Sequence, residues 1–530
     1  MKKRQIELSR RLVYAFVVTV TAVAGCGSSK GGAPTGAGGT TGTGGTTGSG
    51  GTTGTAGTAG GESQSVLERN KHPSRDGAFV QPTLTTTAAA TMAADAGFTA
   101  SFTGNMWASP LYLQNGPNGK GVYFAVTTGN DVFALDETTG AQVWTHNIGS
   151  SPTSNAPAGT TNCGNIHPLG ILSTPVIDAN ARTIYVAGAI GTTSITSHEV
   201  HALSVDDGTE KSGWPINNST ATSGSITFDT VHENQRSALS LVNGVLYVAY
   251  GGHIGDCGAY HGWVIGITTS NPTMRGAWAT GGQGEGIWQA GGLASDGTSV
   301  FTPTGNRTGG SGAHQDSEEV VRITGLGTRA DAFYPSRWST MDGQDADMSA
   351  NSPVYITSPG PYVVQISKDG HLYLLDPANL GGQDGFKVDF TVASGAMAIH
   401  TAPAAYRTAM GTHVVFSTDS GAQCPSGGGK SVVSVLIPAG NPPAPSVAWC
   451  VAQSGPVTAP IATTTDGQAN AIVWFMNNGK LMGVDGDTGA TVFGGGSSTC
   501  SGVQQWTSPI AANGHIVVGG NGHLCSWSPQ

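Results

Sequence analysis

The sequence predicts an all-β protein, an eight-bladed β-propeller of four-stranded antiparallel blades closed by an N-terminal strand, and three observations predict it. Glycine supplies 82 of the 530 residues and only 11% are charged, a composition that excludes a coiled coil or a helical bundle. The apolar residues, 38% of the chain, fall in short Val/Ile/Tyr-rich runs punctuated by Gly, Asp, Asn and Pro, as many short strands do. One strand opening then recurs eight times between residues 108 and 510.

Taken in order, the chain begins with an address. Lys2, Lys3, Arg4, Arg10 and Arg11 precede an apolar run from Leu12 to Ala24, the layout of a secretory signal and too short to span a bilayer. The run ends Val23-Ala24-Gly25-Cys26, which resembles a bacterial lipobox and makes Cys26 the expected lipidation site. Removing residues 1–25 takes away five basic side chains and Glu7, leaving 23 − 5 = 18 basic against 33 − 1 = 32 acidic residues, a charge of −14. From Gly27 to Glu62 almost every residue is Gly, Thr, Ser or Ala, so residues 26–62 read as a lipidated cysteine and flexible tether spanning roughly 30–35 Å. Residues 63–96 form a lead-in, and 97–530 the propeller. The expected location is exported and lipid-anchored, at the outer membrane or cell surface of a Gram-negative bacterium; Gly27 is not the Asp that signals inner-membrane retention. The acidic balance argues against nucleic acid as a partner, and a monomer is expected.

The strand openings are Ala108-Ser109-Pro110, Ser173-Thr174-Pro175, Ser237-Ala238-Leu239, Gly291-Gly292-Leu293, Asn351-Ser352-Pro353, Thr401-Ala402-Pro403, Thr458-Ala459-Pro460 and Thr507-Ser508-Pro509. From 108 to 507 is 399 residues over seven intervals, or 57 per unit, the length of four short strands with their loops. A misread opening would give seven blades. The last opening leaves room for only three strands, and an unpaired edge invites aggregation, so a strand from the front must complete the ring. Gly97-Phe98-Thr99-Ala100-Ser101-Phe102 is the candidate.

Within a unit, Ala134-Leu135-Asp136-Glu137-Thr138-Thr139-Gly140 followed by Trp144 sets a tight turn and then an aromatic that can pack between sheets. Lys480 to Phe493 repeats the pattern with Phe in place of Trp, and Gly370 to Asp376 does so in part. This repeat resembles that of pyrroloquinoline quinone (PQQ)-like β-propellers. Gly262 to Gly266, Gly286 to Gln289 and Lys368 to Asp376 also look like stretches of bacterial exported proteins named for it. A more distant resemblance is to the propeller lipoprotein of the outer-membrane barrel-assembly machine, a scaffold. Catalytic quinoproteins of this shape hold their cofactor between a tryptophan and a disulfide of two adjacent cysteines, with calcium and an aspartate base alongside. No two cysteines are adjacent here.

The resemblance therefore implies a non-catalytic binding or scaffold module for a protein, peptide or glycan at the cell envelope, with no cofactor. The alternative is a PQQ- and Ca²⁺-dependent alcohol or sugar dehydrogenase. Residues just before each opening point at the axis of a propeller, so Trp107, His167, Gln235, Arg236, Trp288, Gln289, Asn351, His400 and Trp506 are the candidate ligand ring at one mouth. With Cys26 lipidated, six cysteines remain, which allow fifteen pairings in an exported chain; Cys163 with Cys257, Cys424 with Cys450 and Cys500 with Cys525 are the pairs favoured here. Asp342, Asp345 and Asp347 could share a cation but lack the EF-hand spacing. His253, Asp256, Tyr260 and His261 offer metal-ligand chemistry around Cys257, where structural tying is the plainer reading. Cys424 to Ser431 is one residue short of a phosphate loop and is followed by a strand-like run.

Overall fold

Eight antiparallel sheets form a ring in the computed structural model, which describes residues 63–153, 163–309, 312–394, 401–425, 429, 431–455 and 457–530. The innermost strands of blades one to eight begin at Leu111, Val176, Ser240, Ala294, Val354, Ala404, Ile461 and Ile510, each just after one of the openings read from sequence. Seven blades draw all four strands from consecutive chain. In blade one these are Leu111–Leu113, Val122–Val126, Asp131–Asp136 and Gln142–Asn147. Val122–Val126 is buried throughout, because each of its faces meets a neighbouring sheet.

Successive blades are fastened by aromatic side chains seated on the next blade's turn. Asp136 accepts bonds from the Thr138 and Thr139 amides and the Thr139 hydroxyl, and Gly140 follows at φ 75°. Trp144 then crosses to blade two, where Nε1–H donates to the Val205 carbonyl at 2.9 Å. Its ring lies so close to Gly208, at φ 73°, that a Cβ there would sit 2.7 Å from it. Trp449 does the same between blades six and seven, donating to Gly486 O at 2.7 Å and covering Gly489.

Closure follows the expected principle with a different segment. The last blade supplies Ile510–Ala512, His515–Gly520 and His523–Pro529, and the fourth strand is Met92–Ala94, pairing antiparallel with Trp527 to Pro529. The sequence expectation was Gly97 to Phe102, which lies at the near end of the same edge. Ser101 forms a single bridge to His523, and the Phe102 amide donates to Gly522 O at 2.9 Å. Asp95, between the two pieces, explains the displacement. It accepts hydrogen bonds from the Ser526 and Ser528 hydroxyls and lies 2.9 Å from His515 Nδ1, and these contacts hold the strand ahead of residue 97.

The lead-in is built into the ring. Val66 bridges Tyr112 in blade one, and Leu67 O accepts from Ile177 in blade two. Pro73, Ser74, Asp76 and Gly77 carbonyls accept from Ser295, Tyr355, Ala405 and Ala462 in blades four to seven. Ala78–Val80 then pairs parallel with Ile461–Thr464. Blade three is reached by a side chain, as Arg75 donates to Leu239 O at 2.8 Å. Gln81 Nε2 also lies 3.4 Å from Ala511 O in blade eight, so the segment reaches all eight blades and plugs the channel.

The plug is polar, and its buried charges meet one another at its centre. Arg75 is 1% exposed; it donates to Leu293 O, Arg69 O, Leu239 O and the Ser240 hydroxyl, and its Nη1 forms an ion pair with the Glu68 carboxylate at 3.1 Å. Burial pushes Glu68 up to about 7, against the lowering pull of Arg75. Such groups are tolerated inside because the guanidinium fork satisfies several carbonyls at once.

Candidate functional site

Above the plug a cavity of about 530 Å³ opens around the axis, within the usual span of roughly 300–1,000 Å³ for small-molecule sites. Its walls come from two kinds of loop. Residues leading into innermost strands supply Trp107, Arg236, Trp288 and Trp506, and turns between second and third strands supply His253, Asp256 and Lys368. The described N-terminal end lies on the other face: Ser65 and Gln64 bond to Gln114 and Asn513, in the turns that follow first strands.

Of the ring expected from sequence, four members therefore converge. Gln235, Gln289, Asn351 and His167 do not line the cavity. Gln235 is buried and donates to Ser237 O at 2.6 Å, and Gln289 donates to the Thr302 hydroxyl at 3.0 Å. In extended chain consecutive side chains face opposite ways, so within Gln235-Arg236 and Trp288-Gln289 only one of each pair can face the axis. Asn351 accepts the Thr401 amide at 2.7 Å. His167 is exposed while its neighbours Asn165 and Ile166 line the wall. His400 and Cys26 lie outside the described residues.

Arg236 sits 5.8 Å over the Trp506 ring and donates to Trp288 O at 3.1 Å. It has no carboxylate partner among the described residues, and its Nε is unbonded. Burial lowers it to about 10, which leaves it cationic at neutral pH. Trp506 is fixed from beneath, its carbonyl accepting Arg69 of the plug at 2.8 Å.

The aspartates named as a cation site are engaged by protein groups. Lys368 Nζ lies 2.8 Å from Asp347 and 3.1 Å from Asp345, and Asp342 accepts the Arg307 amide and the Ser317 hydroxyl. Burial lifts Asp347 to about 6, with Lys368 opposing. Behind it Glu318 is fully buried with one oxygen unbonded, and burial, with Asp347 next, holds its carboxyl well above the usual range. Lys368 is thus the shared counter-ion of the two cavity carboxylates, and Asp342 is engaged apart from them.

His253 is buried and held near pKa 4 by burial, hence neutral; Nε2 faces Val231 O at 3.2 Å and carries the proton. Tyr260 donates to Asp256 at 2.7 Å, and His261 Nδ1 meets Thr280 O, so the loop ligands around Cys257 are spent separately. The three disulfides are Cys163–Cys257, Cys424–Cys450 and Cys500–Cys525. The first ties together two stretches of the cavity wall, 163–166 and 252–257. The cofactor-clasping pair of adjacent cysteines has no counterpart, since these bonds span 94, 26 and 25 residues. Ser431–Ile437 after Cys424 is a strand, not the helix a phosphate loop requires.

No protein-family profile and no curated protein sequence matches the chain. Among solved structures it is similar to a quinohemoprotein alcohol dehydrogenase from Comamonas testosteroni, at 13% identity and TM-score 0.62, over 88% of this chain and 80% of that one. It is also similar to a europium-containing methanol dehydrogenase, at 13% identity and TM-score 0.59, over 86% and 89%. BamB from Moraxella catarrhalis aligns at 11% identity and TM-score 0.47, over 82% and 97%. At these identities the likeness is one of fold.

Proposed function

We propose that the protein is a binding module of the cell envelope whose axial cavity takes a compact, uncharged, polyhydroxylated ligand, a saccharide. The observation that carries this reading is the pairing of three indoles, Trp107, Trp288 and Trp506, with wall charges that nearly cancel. Arg236 and Lys368 face Asp256, Asp345 and Asp347, so a strongly charged ligand gains little. Sugar C–H groups carry partial positive charge that the negative face of an indole attracts. Hydroxyls can both donate to the carboxylates and accept from Arg236.

A second reading, a quinoprotein dehydrogenase of alcohols or sugars, draws on one feature, the Asp347 carboxyl held near pKa 6 beside the cavity. Titrating neutral mono- to tetrasaccharides while following tryptophan fluorescence tests the first reading. Adding PQQ and Ca²⁺ and recording a quinone spectrum and dye reduction tests the second. Saturable quenching that is lost in Arg236→Gln supports the binding module; bound quinone with turnover overturns it.

A further inference from the structure

On the outer part of blade eight, a ring nitrogen of His523 and the sulfurs of Cys500 and Cys525 lie within 4.8 Å of one another, the only such group of three or more His, Cys, Asp or Glu among the described residues. We propose that this is a latent site for a soft or borderline metal ion, Zn²⁺ or Cu⁺, that forms when the Cys500–Cys525 disulfide is reduced.

The strand geometry builds the site. His523 and Cys525 are two residues apart in His523–Pro529, so both project from one face of the sheet. Cys500 reaches that face from the loop leading into the last blade. The His523 ring lies over Gly520, where a Cβ would come within 2.9 Å of Nε2; glycine leaves it room. The imidazole makes no hydrogen bond to the described residues and has no carboxylate beside it. A cavity of about 380 Å³, lined by Thr499, Cys500 and Ser501, gives access from solvent. Zn–S bonds of about 2.3 Å and Zn–N bonds of about 2.0 Å put tetrahedral ligands roughly 3.5–3.8 Å apart, so small shifts complete the site. Three protein ligands leave a fourth position to water.

The chemistry balances. A dithiol reductant exchanges with the disulfide, leaving Cys500 and Cys525 as thiols and itself as a disulfide; the metal then displaces two thiol protons and takes the neutral imidazole. A covalent fastening is thereby exchanged for a coordinate one at the same place.

The test uses the full chain reduced with a trialkylphosphine, which becomes its oxide as water supplies the thiol protons. Co²⁺ is the probe, read by its thiolate charge-transfer absorption, with far-ultraviolet circular dichroism recorded alongside. The expected result is one equivalent bound by the reduced chain and none by the oxidised chain. Affinity should fall about tenfold or more in His523→Ala, and the band should vanish in Cys500→Ala/Cys525→Ala. His523→Ala leaves the disulfide in place during folding, so it answers even if the double variant fails to fold. A reduced chain without the band, an undiminished band in either variant, or loss of the β spectrum despite Co²⁺ would overturn the proposal.

Discussion

Replacing Arg75 by methionine removes all five donors of the plug's central guanidinium while keeping much of its volume. Leu293 O retains the Ser240 hydroxyl as a partner, but Leu239 O and Arg69 O lose theirs. Each orphaned buried carbonyl costs about 1–3 kcal/mol, and Glu68 loses its ion pair with Arg75. The sum is about 3–5 kcal/mol, as for other broken buried pairs. The folded unit from Gly61 to Gln530 has about 470 residues, so at about 2.1 cal/mol/K per residue its unfolding entropy is about 1 kcal/mol/K. A fall in melting temperature of about 3–5 °C follows, read by circular dichroism and by guanidinium midpoints. The deficit also carries a pH signature. Glu68 is raised by burial from 4.5 to about 7, and losing Arg75 raises it further. A carboxyl raised on folding contributes stability below its unfolded pKa and loses it as pH rises through the folded value. The deficit should therefore be larger at pH 8 than at pH 5. A change below about 1 °C, or one indifferent to pH, would refute the plug as a fastening.

Three further outcomes follow from the same structure. Asp95 is held below its usual range because hydrogen bonds from His515, Ser526 and Ser528 outweigh the burial that would raise it; the closure should weaken as pH falls through that lowered value, and Asp95→Ala should reduce the acid sensitivity, measured by melts from pH 6 to 3. Trp144→Ala should cost about 3–5 kcal/mol through the cavity it leaves against blade two, read from guanidinium midpoints, whereas a loss under about 1 kcal/mol would mean the seam does not depend on the indole. Glu318, whose carboxyl burial holds well above its usual range, makes the fold less stable as pH rises; Glu318→Gln should melt above the wild type at pH 8, with the gap narrowing toward pH 5.

The ring itself was readable because a small residue before each inner strand is a packing requirement that repeats, and the openings at Ala108 and Thr507 mark the first and last blades. The three cysteine pairs were anticipated too. The closing strand was misplaced because Gly97 to Phe102 has the stronger apolar pattern, while Met92–Ala94 is chosen by the hydrogen bonds of Asp95, which pattern does not reveal. The plug was hidden for a similar reason: residues 63–96 were legible only as a lead-in, and nothing in their pattern shows that Glu68, Arg69 and Arg75 are buried among the blades. At the cavity, tryptophans before the openings were legible, but Lys368 and His253 enter from turns on other strands, and only the closed ring brings them to the axis. His523-Leu524-Cys525 carried a legible signal, the alternation that puts both ligand types on one face.

Isothermal titration of the wild type, Trp288→Ala and Arg236→Gln with neutral oligosaccharides tests the central claim most directly. One site on the wild type, weakened about tenfold by loss of an indole, is the predicted result; no heat with any saccharide, together with tight PQQ binding and dye reduction, would contradict it.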